Sequence, residues 1–290
     1  MVDVNVFNGH WAFRWMRETQ FPPFLGLGLL QEGIQCALQS PLEALFFEDP
    51  QRANVILYEE WGLLGQREIP EFLLEEIPEL AERGSMFDVF ARQHPPILAK
   101  LLPVCVLHPL LRNWQQSFQT CQGTYEAVAI KLHPNYHCYH LTDGAARELL
   151  TACGEAGLPV IVQMRMQDTR SHHPLMQVPD VDINEVLDAA AASPQTKFVI
   201  GGIKWGEASS KANDINALPN VWLDISQCEI VDVLRRLIRL FGAQRLLFGT
   251  HAPFFYVKSA LLKLEEARLT EEERQLITED NAREVFQLGG

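Results

Sequence analysis

Apolar and polar positions along the 290-residue chain follow two rhythms. Short apolar runs read as strands at VDVNVF (2–7), GIQCALQS (33–40), LPVCVLHP (102–109), AVAIKLHP (127–134), PVIVQMR (159–165), KFVIGGI (197–203), VWLDIS (221–226) and RLLFGTH (245–251). Between the later runs, LTDGAARELLTACGEAG, DINEVLDAAAASP and EIVDVLRRLIRLFGA carry their apolar residues on one helical stripe. Each has a Gly or Pro near its end, where such residues stop a helix. Apolar strands alternating with amphipathic helices are the pattern of repeated βα units around a parallel sheet. Eight units in a chain of this length predict an α/β fold, a single (β/α)8 TIM barrel spanning residues 1–290. A doubly wound sheet is the alternative, but GLG at 26–28 lacks a third glycine in phosphate-binding register and follows no clear strand.

Two segments depart from the rhythm. Residues 66–100 are rich in acidic residues and prolines around EFLLEEIPELAERG, and they predict an insertion between strands two and three. It would serve as a lid or, through Ile69 to Leu80, as the contact of a homo-oligomer. The tail LTEEERQLITEDNAREVFQL predicts one or two helices whose acidic first turns complement the helix dipole and which close the barrel.

Composition narrows the partners. A net charge of −13 argues against a nucleic-acid backbone as ligand, since such binding depends on clustered Lys and Arg. No stretch approaches the ~18 uninterrupted apolar residues of a membrane span, and the first residues lack a basic segment leading into an apolar one. A cytoplasmic protein without a membrane partner is therefore expected. The six cysteines never fall in C-x-x-C spacing, which suits a reducing compartment and core positions.

Chemistry in such a barrel gathers at the C-terminal ends of the strands, and several strands end in polar residues. Alternation puts Lys131 and His133 on one face of strand four, Gln163 and Arg165 on one face of strand five, and Asp224 and Ser226 on one face of strand seven. Asn5 and Phe7 share a face of strand one, and His251 ends strand eight. Barrel interiors favour branched apolar side chains, so this many polar strand ends point to a site. The run HPNYHCYH offers His133, His137, Cys138 and His140 as metal donors, but Pro134 makes it an irregular loop. The pair His172 and His173 reads as surface loop. No G-x-S-x-G elbow, H-E-x-x-H helix or G-x-x-x-x-G-K-[ST] loop is present.

With these strands placed, the chain resembles the amidohydrolase superfamily, in its amidohydrolase-2 branch of metal-dependent hydrolases and decarboxylases. The resemblance lies in IKLHP, FVIGGI and FGTHAPF, with DVNVFNG and VIVQM at the positions of the other strand motifs. It implies histidine ligands where Asn5, Phe7 and Gln163 stand, a further histidine within FVIGGI, and an aspartate where His251 stands. Amides are poor zinc ligands and a phenyl ring is none, so the family's metal site does not carry over. The stretches NGHWAFR, LHPNYHCY, VQMRMQDTRSHHP, DISQCE and FGTHAPFF resemble a metal-poor offshoot of the branch. From that offshoot His10, Arg14, Tyr136, His137, Arg165 and Asp168 are taken as further rim residues.

The expected function is a metal-independent hydrolase or lyase for a small anionic substrate: a carboxylated lactone, an amide or an aromatic acid. His251 would transfer the proton, oriented by Asp224, with His133 polarising a carbonyl. Lys131, Arg165 and Arg14 would clamp the anionic groups, alongside Asn5 and Gln163 as substrate contacts. No cofactor is expected. The alternatives are a divalent metal such as zinc held by His133, His251 and one of His10, His137 or Asp224, and a binding barrel without chemistry.

Overall fold

The structure, a computed structural model, describes residues 1–6, 25–29, 101–166, 168, 170, 178–251 and 255–288. Its strands are β1 (Val2–Val6), β2 (Leu25–Leu29), β3 (Leu101–Val106), β4 (Ala129–Leu132), β5 (Val160–Gln163), β6 (Phe198–Gly201), β7 (Val221–Asp224) and β8 (Leu246–Leu247). They form one sheet in the order β1 to β8, and every neighbouring pair is parallel. Sequential parallel pairing of eight strands is the order of a (β/α)8 barrel. Among the described residues the helices after the later strands are α1 (Trp114–Gly123), α2 (Gly144–Glu155), α3 (Ile183–Ala192), α4 (Trp205–Ser210), α5 (Ala212–Asn216), α6 (Val233–Phe241) and α7 (Val257–Glu266).

Six of the eight expected strands lie where the apolar runs placed them, and β1 occupies the first. The second is corrected. The sheet position between β1 and β3 is taken by Leu25–Leu29, with Gly26 paired to Asp3 on one side and Leu101 on the other. The expected strand at 33–40 and the insertion at 66–100 lie outside the described residues.

Strand alternation divides the interior in two. Ile130, Leu132, Val160, Val162, Phe198, Ile200, Val221, Leu223, Leu246 and Phe248 join one buried cluster with the stripes of α2 (Leu149, Leu150, Cys153), α3 (Val186, Leu187, Ala190) and α6 (Leu234, Leu237, Phe241). Full burial of each large apolar side chain stabilises by roughly 1.5–3 kcal/mol, so this layer dominates the fold's energetics. The alternate residues turn into the barrel: Val104, Ala129, Ile161, Val199 and Leu247 lower down, and Lys131, Gln163 and Asp224 at the C-terminal end, all of them buried.

The tail closes the seam. Thr270 caps a short helix (Glu271–Gln275, α8) by accepting from Glu273 N at 3.1 Å, and the chain continues through a wide turn at 276–280 into α9 (Asn281–Val285). This segment packs on both β1 and β8. Phe248 N donates to Ile277 O at 2.9 Å, Asn281 Nδ2 donates to Ala243 O and Leu246 O at 2.8 Å each, and the N-terminal ammonium pairs with Glu279 at 3.1 Å. The expectation that the tail closes the barrel is met at these contacts.

Candidate active site

Polar side chains converge where the strands end. Lys131 is 1% exposed at the end of β4, and His133 and His137 follow it at 1% and 2%. Pro134 breaks the extended run, and the chain turns with His137 N donating to His133 O at 2.9 Å and Cys138 at a φ of 53°. That turn splits the HPNYHCYH run. His133 and His137 go inward with ring centres 5.9 Å apart, whereas Cys138 is exposed and His140 stands in solvent against Glu185 at 3.2 Å. Tyr136 sets its ring edge-on to His133 at 6.5 Å. Burial, and then the negative charge of Asp180, push its phenol well above the ordinary range.

Sequence reasoning missed His108. It follows β3, is 4% exposed, and stacks on His137 with ring centres 4.7 Å apart and planes 7° from parallel. A signal was available: strands three and four both end in Leu-His-Pro, at 107–109 and 132–134. Burial pulls His108 down to about 4. It also holds His137 well below its ordinary range, with His108 and His133 adding to the effect.

Gln163 pairs in register with Gly201, and the glycine pair of FVIGGI makes room for its amide. A Cβ on Gly201 would lie 2.9 Å from Gln163 Oε1, and one on Gly202, whose φ is +68°, would lie 2.8 Å from Nε2. Gln163 Nε2 donates to the Arg165 carbonyl at 2.8 Å.

Arg165 departs from its expected role as an anion clamp. Its guanidinium is 2% exposed and committed to the protein: Nη1 donates to Gly202 O at 2.6 Å, Nε pairs with Asp180 at 2.8 Å and Nη2 donates to Glu207. Each of its three nitrogens thus faces an acceptor of the protein. Asp168 lies at the exposed edge of the same charge network. Arg170 pairs with it at 2.9 Å and holds its carboxyl well below the usual range, and Lys204 lies 4.0 Å away.

Asp224 is fully buried and ties β6 to β7. Its oxygens accept from Ser226 N at 2.9 Å, Gly202 N at 2.9 Å and Ser226 Oγ at 2.6 Å. Lys263 of α7 reaches in from behind and donates to Ser226 O at 2.8 Å and Ile225 O at 3.3 Å. His251 is fully buried on a left-handed backbone with φ 55°, and its ring meets Phe255 edge-on at 5.1 Å. The group that orients its Nε2 is the Met166 carbonyl at 2.5 Å, where the sequence pointed to Asp224. Burial first, then the charges of Lys131, His133 and Lys263, pull His251 down to about 3, while the Met166 contact works against them. His133 is likewise held well below its ordinary range by burial and by Lys131.

Asn5 lies on β1, while His10, Arg14 and the His172–His173 pair fall outside the described residues. Lys131, His133, Tyr136, His137, Gln163 and His251 are brought to one end of the barrel, together with the carboxylate of Asp224.

Residues 89–288 match the model of the amidohydrolase family (Amidohydro_2). The chain belongs to that family. Solved structures of like fold include a 2,6-dihydroxybenzoate decarboxylase from Rhizobium, with 14% identity, 100% of this chain and 99% of the other covered, and a TM-score of 0.56. A 4-oxalomesaconate hydratase from Rhodopseudomonas palustris has 16% identity, 99% and 95% coverage, and a TM-score of 0.56. A 5-carboxyvanillate decarboxylase from Novosphingobium aromaticivorans, with bound manganese and a nitrobenzoic acid, has 12% identity, 99% and 97% coverage, and a TM-score of 0.60. A comparison with curated protein sequences gives no match.

On β5 this amidohydrolase carries an amide, Gln163. Among the described residues no group of three or more His, Cys, Asp or Glu gathers to hold a metal. Gln163 Nε2 donates to the Arg165 carbonyl, and His251 Nε2, a ring nitrogen a metal would use, faces Met166 O. An amide such as that of Gln163 is a poor ligand for zinc.

Proposed function

We propose that this amidohydrolase is a hydrolase-type enzyme for a small carboxylated compound, an aromatic acid, lactone or amide, and that it works by proton transfer without a divalent ion. The observation that carries the reading is the burial of Lys131, His133 and His251 together, with the lysine charge helping to hold both rings below their ordinary range. A buried lysine beside these rings suits a substrate that carries negative charge. A carboxylate seated by Lys131 cancels the lysine's depression of the rings, so His251 becomes a stronger base once substrate is in place. His251 then takes a proton from the attacking water through Nδ1 and returns it to the leaving group, while a His133 N–H polarises the carbonyl. Asp224 fixes the ends of β6 and β7 around them.

A screen of lactones, anilides and hydroxylated benzoates tests this by product formation, with Lys131→Met and His251→Ala as variants. Wild type should turn over a member of the set. Lys131→Met should raise KM sharply, and His251→Ala should lower kcat by roughly 10²–10⁴-fold, the usual worth of a general acid–base group. Full activity in His251→Ala removes that residue from the mechanism. Thermal shifts without any product would favour a binding barrel. Carbon dioxide release from a hydroxybenzoate would favour the second reading, decarboxylation, which is the activity named for two of the solved structures of like fold.

A further inference from the structure

Burial favours the neutral form of the His251 ring, so its chemistry depends on which ring nitrogen carries the hydrogen. A carbonyl oxygen can only accept, and Met166 O lies 2.5 Å from Nε2. Nε2 is therefore the protonated nitrogen, and the lone pair sits on Nδ1. The Gln227 amide Nε2 is 3.2 Å from the same ring nitrogen, but it is itself a donor and has the Arg165 carbonyl as acceptor at 3.4 Å. The main-chain carbonyl chooses the tautomer.

The residue before that carbonyl is anchored on several sides. The Arg165 fork reaches three separate elements: Asp180 in the connection from β5 to α3, Gly202 at the end of β6, and Glu207 in α4. Met164, on the other side, is tied to the sheet by its N to Gly201 O and to the same connection by Val181 N, both at 2.9 Å. The segment 164–166 is thus clamped from both flanks, with a guanidinium 2% exposed against carboxylates 29% and 25% exposed.

We infer that Arg165 is a positioning residue: through its three-armed side chain it fixes the Met166 carbonyl, which keeps His251 in the Nε2–H form and leaves Nδ1 as the nitrogen that exchanges protons. The inference rests on His251 being the acid–base group proposed above. It gives Arg165 a role in which it never touches substrate.

The test is nitrogen-15 NMR of the imidazole rings in the full chain at neutral pH, with the His251 signals assigned by their loss in His251→Gln. Wild type should show a single neutral form, protonated at Nε2. In Arg165→Met that pure pattern should give way to averaged signals of two tautomers. Arg165→Lys, which keeps the charge and one arm, should restore it in part. Asp180→Asn and Glu207→Gln each remove one charged arm and should move the signals the same way by less, and they carry the test if Arg165→Met does not fold. Arg235→Met breaks a comparable fork elsewhere, on Ala267 O and Glu273, and should lower stability without moving His251. A wild-type ring protonated at Nδ1, or an unchanged pattern in all the folded fork variants, overturns the inference. Because no substrate is needed, a chain that catalyses nothing in the screen leaves this readout standing, and the two ideas can fail separately.

Discussion

His251 pairs a ring the site needs with a backbone that most residues avoid. A side chain at a φ of 55° costs about 1–2 kcal/mol over glycine, which adopts that geometry freely. His251→Gly and His251→Ala lose the same ring, yet the glycine variant should be the more stable by about 1 kcal/mol in urea unfolding. Equal stability would mean that the strain is absent. At this scale the sequence was partly legible. The strand-end alternation that selected Lys131, His133, Gln163 and Asp224 holds, because period two along a buried strand leaves little choice of face. Arg165 lay on the expected face too, but neither composition nor spacing could reveal that Asp180 and Glu207, 15 and 42 positions further along, would pair with it. His108 was not legible from strand alternation because it lies two residues beyond the end of β3, where the backbone has left the extended run.

Elements explain what can be built on them. The ends of β3 and β4 carry His108, His133 and His137, and β8 carries His251, all buried with values below the ordinary histidine range. In the unfolded chain these rings titrate near 6.5, about the usual value, so below that pH the unfolded state binds protons the folded state refuses. Their contribution is fully present above about 6.5 and drains away as the pH falls toward about 4 for His108 and about 3 for His251. Each ring adds a loss of about 1.4 kcal/mol per pH unit inside its window. Urea midpoints measured from pH 7 to pH 4.5 should therefore decline, and His108→Gln should flatten the decline; an unaltered slope in that variant would contradict the assignment. Strand β2 eluded sequence reading for an elemental reason. LGLGL places glycine at alternate positions, which weakens any strand signal, yet parallel neighbours on both sides satisfy its backbone. The tail makes its own prediction. Asn281→Ala strips two buried carbonyls of their donor and should cost roughly 1–3 kcal/mol for each group left bare.

For the whole molecule, the eight-strand order followed from counting apolar runs, since sequential βα units admit few other topologies. No helix of the described residues is long and apolar enough to cross a membrane. Prolonged dialysis against chelator should leave the thermal midpoint and any turnover found by the screen unchanged. A fall in either that zinc or manganese reverses would instead favour a site rebuilt from histidines.

Below Lys131 and Gln163, the inward residues Val104, Ala129, Ile161, Val199 and Leu247 fill the described part of the barrel with hydrocarbon. Among the described residues, that leaves the C-terminal end of the strands as the polar side of the lysine. On the function proposed above, substrate and a carboxylate product would share Lys131 as their anchor, so added product should inhibit competitively against substrate.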